Sequence, residues 1–444
     1  MTTTRTTRFD RRDLAAASAA VLHDNDRGSH TVASPSLYPH QWSWDAAIIT
    51  VGLARLSVDR AITELTSLLR AQWRTGMIPH IVFADEPGYF PGPDRWRTAA
   101  VSPVGVPTSG ICQPPIHAIA VHAIVAAGRR RGGTDRQVAD EFAASSFDAL
   151  LRWHRWLSAA RGAAGTGLIE IHHSWESGMD NSPRWDAPYA AVDPGSMPPY
   201  VRLDTLHVAD AAQRPTDADY RRYLWLVEQM ADAGWADDAV RESVDFRVQD
   251  VFFSALFAVA SDVLAELGDE MGRHSDAADL RAVARYTRSA ICESASPQTG
   301  LARDRDLRAG RWIDSQTVAA FAPLLCVQSG DRRADLTERF LGPEWAGHPS
   351  LKYALPPTTA PGSAQFQPLS YWRGPQWPIV SWLFWWAARR FGDDEFAHHL
   401  RTESLRQLGD GSFAEYYDPL TGAPLGSRRQ SWTAAVALDW LASS

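Results

Sequence analysis

Val251-Phe-Phe-Ser-Ala-Leu-Phe-Ala-Val-Ala260 is apolar on nearly every side of the helix it spells. A surface helix carries one apolar stripe, so a helix apolar all round has to be covered on both sides. Outward from this stretch, apolar residues recur at helical spacing over 46–56, 59–73, 114–129, 136–158, 217–232, 247–267, 276–293, 315–328, 333–341, 377–390, 394–407 and 431–442. Thr216 is placed to cap the helix that opens at Asp217, and Ser275 the one that opens at Asp276. Strand signals are short, at Leu168–His172 and around Trp312. No βαβα alternation appears, which argues against a doubly wound sheet or a TIM barrel. The pattern predicts an all-α domain over 1–444, with helix hairpins closed into a two-layer ring whose inner helices face both the core and the outer layer.

The polar segments 76–112, 161–215, 296–314, 343–376 and 409–430 separate these helices and are rich in Gly, Pro and aromatics. Long loops in a compact protein usually serve binding or catalysis. The net charge of -8 argues against a nucleic-acid partner, and nearly all positive charge is guanidinium because Lys352 is the single lysine. The three cysteines are widely spaced and odd in number, so neither a disulfide framework nor a Cys-rich metal site follows. Ala15–Leu22 is short, mildly apolar and followed by a polar run, so it reads as an amphipathic helix rather than an export signal. No apolar run reaches the ~18 residues needed to cross a bilayer. The expectation is a cytoplasmic protein without a membrane partner.

Tryptophan is unusually frequent, at 19, and clusters beside polar groups in Trp42-Ser-Trp-Asp45, Ser174-Trp-Glu176 and Tyr371-Trp-Arg373. Indoles that share a loop with hydroxyl and carboxyl groups suit the faces of sugar rings. Hydrolysis of a glycosidic bond with inversion needs a protonated carboxyl at the leaving oxygen and an ionised one holding a water on the opposite face. Asp180, in Gly178-Met-Asp-Asn-Ser-Pro-Arg-Trp185, has Trp175 and Trp185 on either side, and an indole wall raises a carboxyl pKa by desolvation. A turn aspartate bonded to its own backbone is the plain structural alternative. Glu415 lies in Gly411-Ser-Phe-Ala-Glu-Tyr-Tyr-Asp-Pro419, where the alternative is a surface glutamate of a hairpin. Asp45 directly precedes an apolar helix and suits an N-terminal cap, a role compatible with holding sugar hydroxyls. His80 is either a loop hydrogen bonder or a sugar ligand. No metal-ligand spacing, phosphate loop or nucleophile elbow appears, so no cofactor is expected.

Together, Tyr38-Pro-His-Gln-Trp-Ser-Trp-Asp45, Gly178–Trp185, Arg214-Pro-Thr-Asp-Ala-Asp-Tyr220, Tyr371-Trp-Arg-Gly-Pro-Gln-Trp377 and Ala414-Glu-Tyr-Tyr-Asp-Pro419 resemble motifs of glycoside hydrolase family 63. The likeness is to its bacterial mannosylglycerate and glucosylglycerate hydrolases and covers almost the whole chain. It implies an (α/α)6 toroidal barrel and an inverting α-glycosidase, with Asp180 as general acid and Glu415 as general base. It also implies a sugar pocket lined by Tyr38, Trp42, Trp44, Asp45, His80, Trp175, Tyr371, Trp372, Gly374 and Trp377. Gln113, Arg214, Tyr220 and Tyr89 would then hold a glycerate, whose carboxylate calls for a guanidinium fork with hydroxyl and amide donors. The partner is thus a small anionic sugar; a homo-oligomer stays open. Rival readings are the same acid–base pair acting on a neutral disaccharide or glucan end, a sugar epimerase, and a sugar-binding protein without catalysis.

Overall fold

The computed structural model describes residues 10–443 apart from 36, 87–88, 204, 206–212 and 329, so parts of the segments predicted as loops over 76–112 and 161–215 lie outside the described residues. Six helical elements pack side by side in a closed ring: Ser43–Leu56, His117–Arg131, Val251–Glu270, the paired short turns Val318–Phe321 and Pro323–Cys326, Pro378–Arg390 and Ser431–Ala442. Each is backed from outside by one partner: Val58–Leu69, Gly133–Trp156, His274–Glu293, Asp331–Leu341, Asp394–Gln407 and, for the last, the N-terminal helix Arg11–Asp24. This is the (α/α)6 toroid. The ring closes where Ser43–Leu56 meets Ser431–Ala442, and Gly52 permits it, since a Cβ there would stand 2.4 Å from Ala435 Cα.

Val251–Glu270 is the clearest inner helix, buried over most of its length and capped by Asp250, whose carboxylate accepts from Phe252 N (2.8 Å) and Phe253 N (3.1 Å). By length and composition it would pass as a membrane span, although no apolar run of that length was expected; here its surface is covered by the second and fourth inner elements and its outer partner. The helix expected over 247–267 begins later because Val248–Gln249 joins a four-stranded antiparallel sheet with Glu170–Ile171, Asp304–Asp306 and Arg311–Ile313. The helix expected over 315–328 is broken. Val318 N donates to Thr358 O (3.0 Å), and Pro323 supplies no N–H, so a 3-10 turn and a short α turn replace it. Thr216 caps as expected, in a capping box with Asp219. Ser275 does not; the helix starts two residues earlier, at His274, with Arg273 at the cap.

Candidate active site

The loops that precede the inner helices meet at one end of the ring, where they enclose a cavity of about 400 Å³. The first turns of Ser43–Leu56 and Ser431–Ala442 reach it through Trp44, Asp45 and Trp432. The first of them shows how the sequence builds the wall. Ser43 N donates to His80 O (2.9 Å) and Trp44 N to Gln113 Oε1 (3.3 Å), so neighbouring loops satisfy the end of Ser43–Leu56. Asp45 is therefore not the cap, as its sequence position suggested, but lies in the first turn with its carboxyl on the cavity. Burial beside Glu415 and Asp180 pushes that carboxyl far above the usual range.

Glu415 projects from the loop before the last inner helix and is 1% exposed. Its Oε1 accepts from Tyr38 OH (2.8 Å) and, more weakly, from Tyr371 OH (3.5 Å), and its Oε2 accepts from Ser427 N (3.0 Å). Arg214 reaches the same group indirectly: its Nη1 donates to Tyr38 OH (3.3 Å) and its guanidinium lies 4.3 Å over the Tyr371 ring. Burial raises the Glu415 pKa, and the Arg214 charge and these donors pull it back toward the ionised form. Tyr371 sits at φ 36, in the left-handed region that non-glycine residues avoid. It is held there because Trp372 N donates to Asn181 Oδ1 (2.9 Å) and Arg373 makes a bidentate pair with Asp186 (2.6 and 2.8 Å).

Asp180 faces the cavity from the loop after Glu170–Ile171. Its carboxyl has no side-chain donor among the described residues; Tyr223 OH donates to its backbone oxygen (3.4 Å). Burial pushes its pKa up to about 7, with Arg214 opposing and Glu415 adding to the rise. Such a carboxyl holds its proton near neutrality. The loop itself is firmly braced. A π-helical turn, Leu157–Arg161, aims Arg161 at buried Glu176 (2.7 and 2.7 Å), which also accepts from His172 N (2.6 Å). Buried Arg184 pairs with Asp250 (2.8 Å) and Asp304 (3.1 Å), tying the loop to the cap of the central helix. Gly178 is needed on two counts, φ 72 and a Cβ that would lie 2.7 Å from the Trp44 ring.

Tyr38, Trp42, Trp44, Asp45, His80, Tyr89, Gln113, Trp175, Asp180, Arg214, Tyr220, Tyr371, Trp372 and Glu415 all line this cavity. Gly374 and Trp377 do not. Trp377 is fully buried one layer back, stacked 3.6 Å from Trp372 and 4.6 Å from Tyr416, so it props the wall rather than forming it. Gly374 serves a close backbone approach, since a Cβ would lie 2.5 Å from Gln367 O. Trp96, Tyr223, Gln430 and Trp432 also reach the cavity and were not singled out from the sequence. Only Gln430 and Trp432 carried a signal, the Gln-Ser-Trp that opens the last helix. His80 is pushed down to about 3 by burial, so it meets a ligand as a neutral ring. No group of three or more His, Cys, Asp or Glu side chains among the described residues is arranged to hold a metal ion.

Residues 38–433 match the family described as mannosylglycerate hydrolase MGH1-like glycoside hydrolase domain. The chain is 52% identical over 439 residues to the glucosylglycerate hydrolase of Mycolicibacterium hassiacum, covering 98% of each protein. Among solved structures it resembles the family 63 mannosylglycerate hydrolase of Thermus thermophilus in complex with Tris, with a TM-score of 0.88, 36% identity, and 96% and 99% of the two chains covered. The same enzyme in complex with Tris and D-glycerate gives a TM-score of 0.87 at 37% identity, with the same coverage.

Proposed function

This chain belongs to the mannosylglycerate hydrolase MGH1-like glycoside hydrolase family, and from that premise we propose that it hydrolyses glucosylglycerate, with mannosylglycerate as a second substrate, by inversion. It is a glycoside hydrolase. The observation that carries the mechanistic reading is the unequal treatment of two acids on one cavity. Glu415 receives three hydrogen bonds and Asp180 receives none from a side chain.

In this reading the proton on Asp180 passes to the glycosidic oxygen as the bond to the anomeric carbon breaks. Glu415 takes a proton from the water that attacks the opposite face, leaving Asp180 ionised and Glu415 protonated until solvent restores both. The unpaired carboxyl of Asp45 and the rings of Trp44 and Trp372 suit the hydroxyls and faces of the hexose. Arg214, Gln113, Tyr220 and Tyr89 suit the glycerate, whose carboxylate matches a guanidinium. The bound D-glycerate in the Thermus enzyme supports this aglycone, and the identity to the Mycolicibacterium enzyme supports glucose over mannose.

The test is proton NMR of the purified protein with glucosylglycerate, mannosylglycerate, trehalose and maltose. First-formed β-hexose from either glycerate, fastest from the glucosyl compound, is expected. First-formed α-hexose would contradict inversion, and turnover of the neutral disaccharides alone would remove the glycerate reading.

A further inference from the structure

Gly426 closes the hairpin that carries Glu415, one position beyond Leu425, the pairing partner of Tyr416. Across that hairpin Glu415 N donates to Ser427 O (2.9 Å), and Ser427 N returns a bond to the Glu415 carboxylate at Oε2 (3.0 Å). The glycine is at φ +65, and a Cβ built there would stand 2.6 Å from Glu415 Oε2 and 2.4 Å from Tyr416 Cε1. Neither neighbour has room to yield. Tyr416 is fully buried between Trp377 (4.6 Å) and Tyr371 (5.6 Å), and Glu415 is pinned on its other oxygen by Tyr38. Gly310 differs: at φ +66 it has nothing within 4 Å of the same position, so its conformation alone accounts for it.

We infer that Gly426 is a positioning residue for hydrolysis, its missing side chain leaving the space in which Glu415 seats Oε2 on the Ser427 N–H. The inference rests on the reading of Glu415 as general base. The groups that face Glu415 are Tyr38 and Arg214, Asp45 from the first inner helix, Asp180 from the opposite loop, Tyr371, and Tyr416 of its own hairpin. Of these, Tyr416 stands nearest to a methyl at 426, so a methyl there acts on the carboxylate and on the ring beside it.

Gly426→Ala is expected to lower kcat about 10–100-fold, the scale of a misplacement near 1 Å, with KM changed by less than about threefold. Because the carboxylate loses a donor that favours its charged form, the acid limb of kcat/KM should move up by about half to one pH unit. Gly310→Ala takes the same backbone conformation without the contact and should leave rate and limb as in the wild type. Thermal melts in the Glu415→Ala background give a readout independent of turnover, and of whether Gly426→Ala alone folds well. There the fall in Tm caused by Gly426→Ala should shrink. An unmoved acid limb, or equal Tm losses in both backgrounds, would overturn the inference. Glu415→Gln with turnover and acid limb intact would instead remove Glu415 as the base, and the inference with it.

Discussion

Around Glu415 the protein turns its donors onto the carboxylate: two phenols on one oxygen and a backbone N–H on the other, with Arg214 behind the phenols. Around Asp180 it turns them onto the loop. His172 N goes to Glu176, Met179 N to Ser177 Oγ (2.9 Å), Trp185 Nε1 to Met179 O (2.8 Å) and Trp372 N to Asn181. The polar groups of the Asp180 loop satisfy one another, and that leaves the Asp180 carboxyl on the cavity without a side-chain donor among the described residues. Burial and the Arg214 charge act on both residues; side-chain hydrogen bonding acts on Glu415 alone. The difference teaches that two like side chains on one cavity are held unequally by the direction in which their neighbours' donors point: burial raises both carboxyls, and side-chain donors oppose it at Glu415 alone.

The largest break in this comparison comes from removing either member. Asp180→Asn and Glu415→Gln should each lower kcat on the order of 10³-fold or more while preserving the fold, as circular dichroism and thermal melts would show. Near-normal turnover by either variant would end the assignment of that residue. A milder break is Tyr38→Phe, which deletes the 2.8 Å donor to Glu415. It should cost about 10–100-fold in kcat and raise the acid limb of the pH–rate profile, because Glu415 becomes harder to ionise.

Arg214→Ala probes both surroundings at once. The guanidinium lowers the pKa of Asp180 and of Glu415, so its loss should raise both limbs of the kcat/KM bell and carry the optimum to higher pH. KM for an anionic substrate should rise with it, and a profile that moves on one limb only would contradict a shared field. The smallest effect is on stability. Asp180 has a folded pKa of about 7 against 3.8 for the free side chain. The folded state thus holds the extra proton between those values, and the group's contribution to stability is lost as pH rises through the folded pKa. Asp180→Asn should accordingly stabilise the protein by about 1–3 kcal/mol at pH 8, less than a full shift implies because the carboxyl is partly exposed to the cavity, and by nothing at pH 4. Equal melting changes at both pH values would contradict the raised pKa.

Much of the ring was legible because its inner helices are apolar on all faces, Val251–Glu270 above all, and helical spacing located most of the rest. Periodicity does not register a proline inside a short apolar run, which is why the element around Pro323 is two turns rather than a helix. Nor does it show a partner strand, which delayed the start of the central helix. The N-terminal helix was visible, but its place as the last outer helix, against Ser431–Ala442, comes only from closure of the ring. At the site, aromatic–acid motifs and the family resemblance they carry singled out sixteen residues, of which fourteen line the cavity. They failed where one motif spans two layers: Trp372 faces the cavity and Trp377 stands behind it, five residues along the same stretch. Trp96 and Tyr223 were missed because nothing local marks them, and distant packing alone brings them to the wall.

The most direct test of the unequal acids is infrared difference spectroscopy near pH 6, on protein carrying ¹³C-labelled aspartate carboxyls, subtracting Asp180→Asn from the wild type. With a pKa of about 7, Asp180 should contribute the carbonyl stretch of a protonated acid that the variant lacks, while the proposed role of Glu415 as base requires the Glu415→Gln difference on glutamate-labelled protein to show an ionised carboxylate. An Asp180 difference made of carboxylate bands alone would mean that the acid is already ionised, and the division of roles between the two loops would fail.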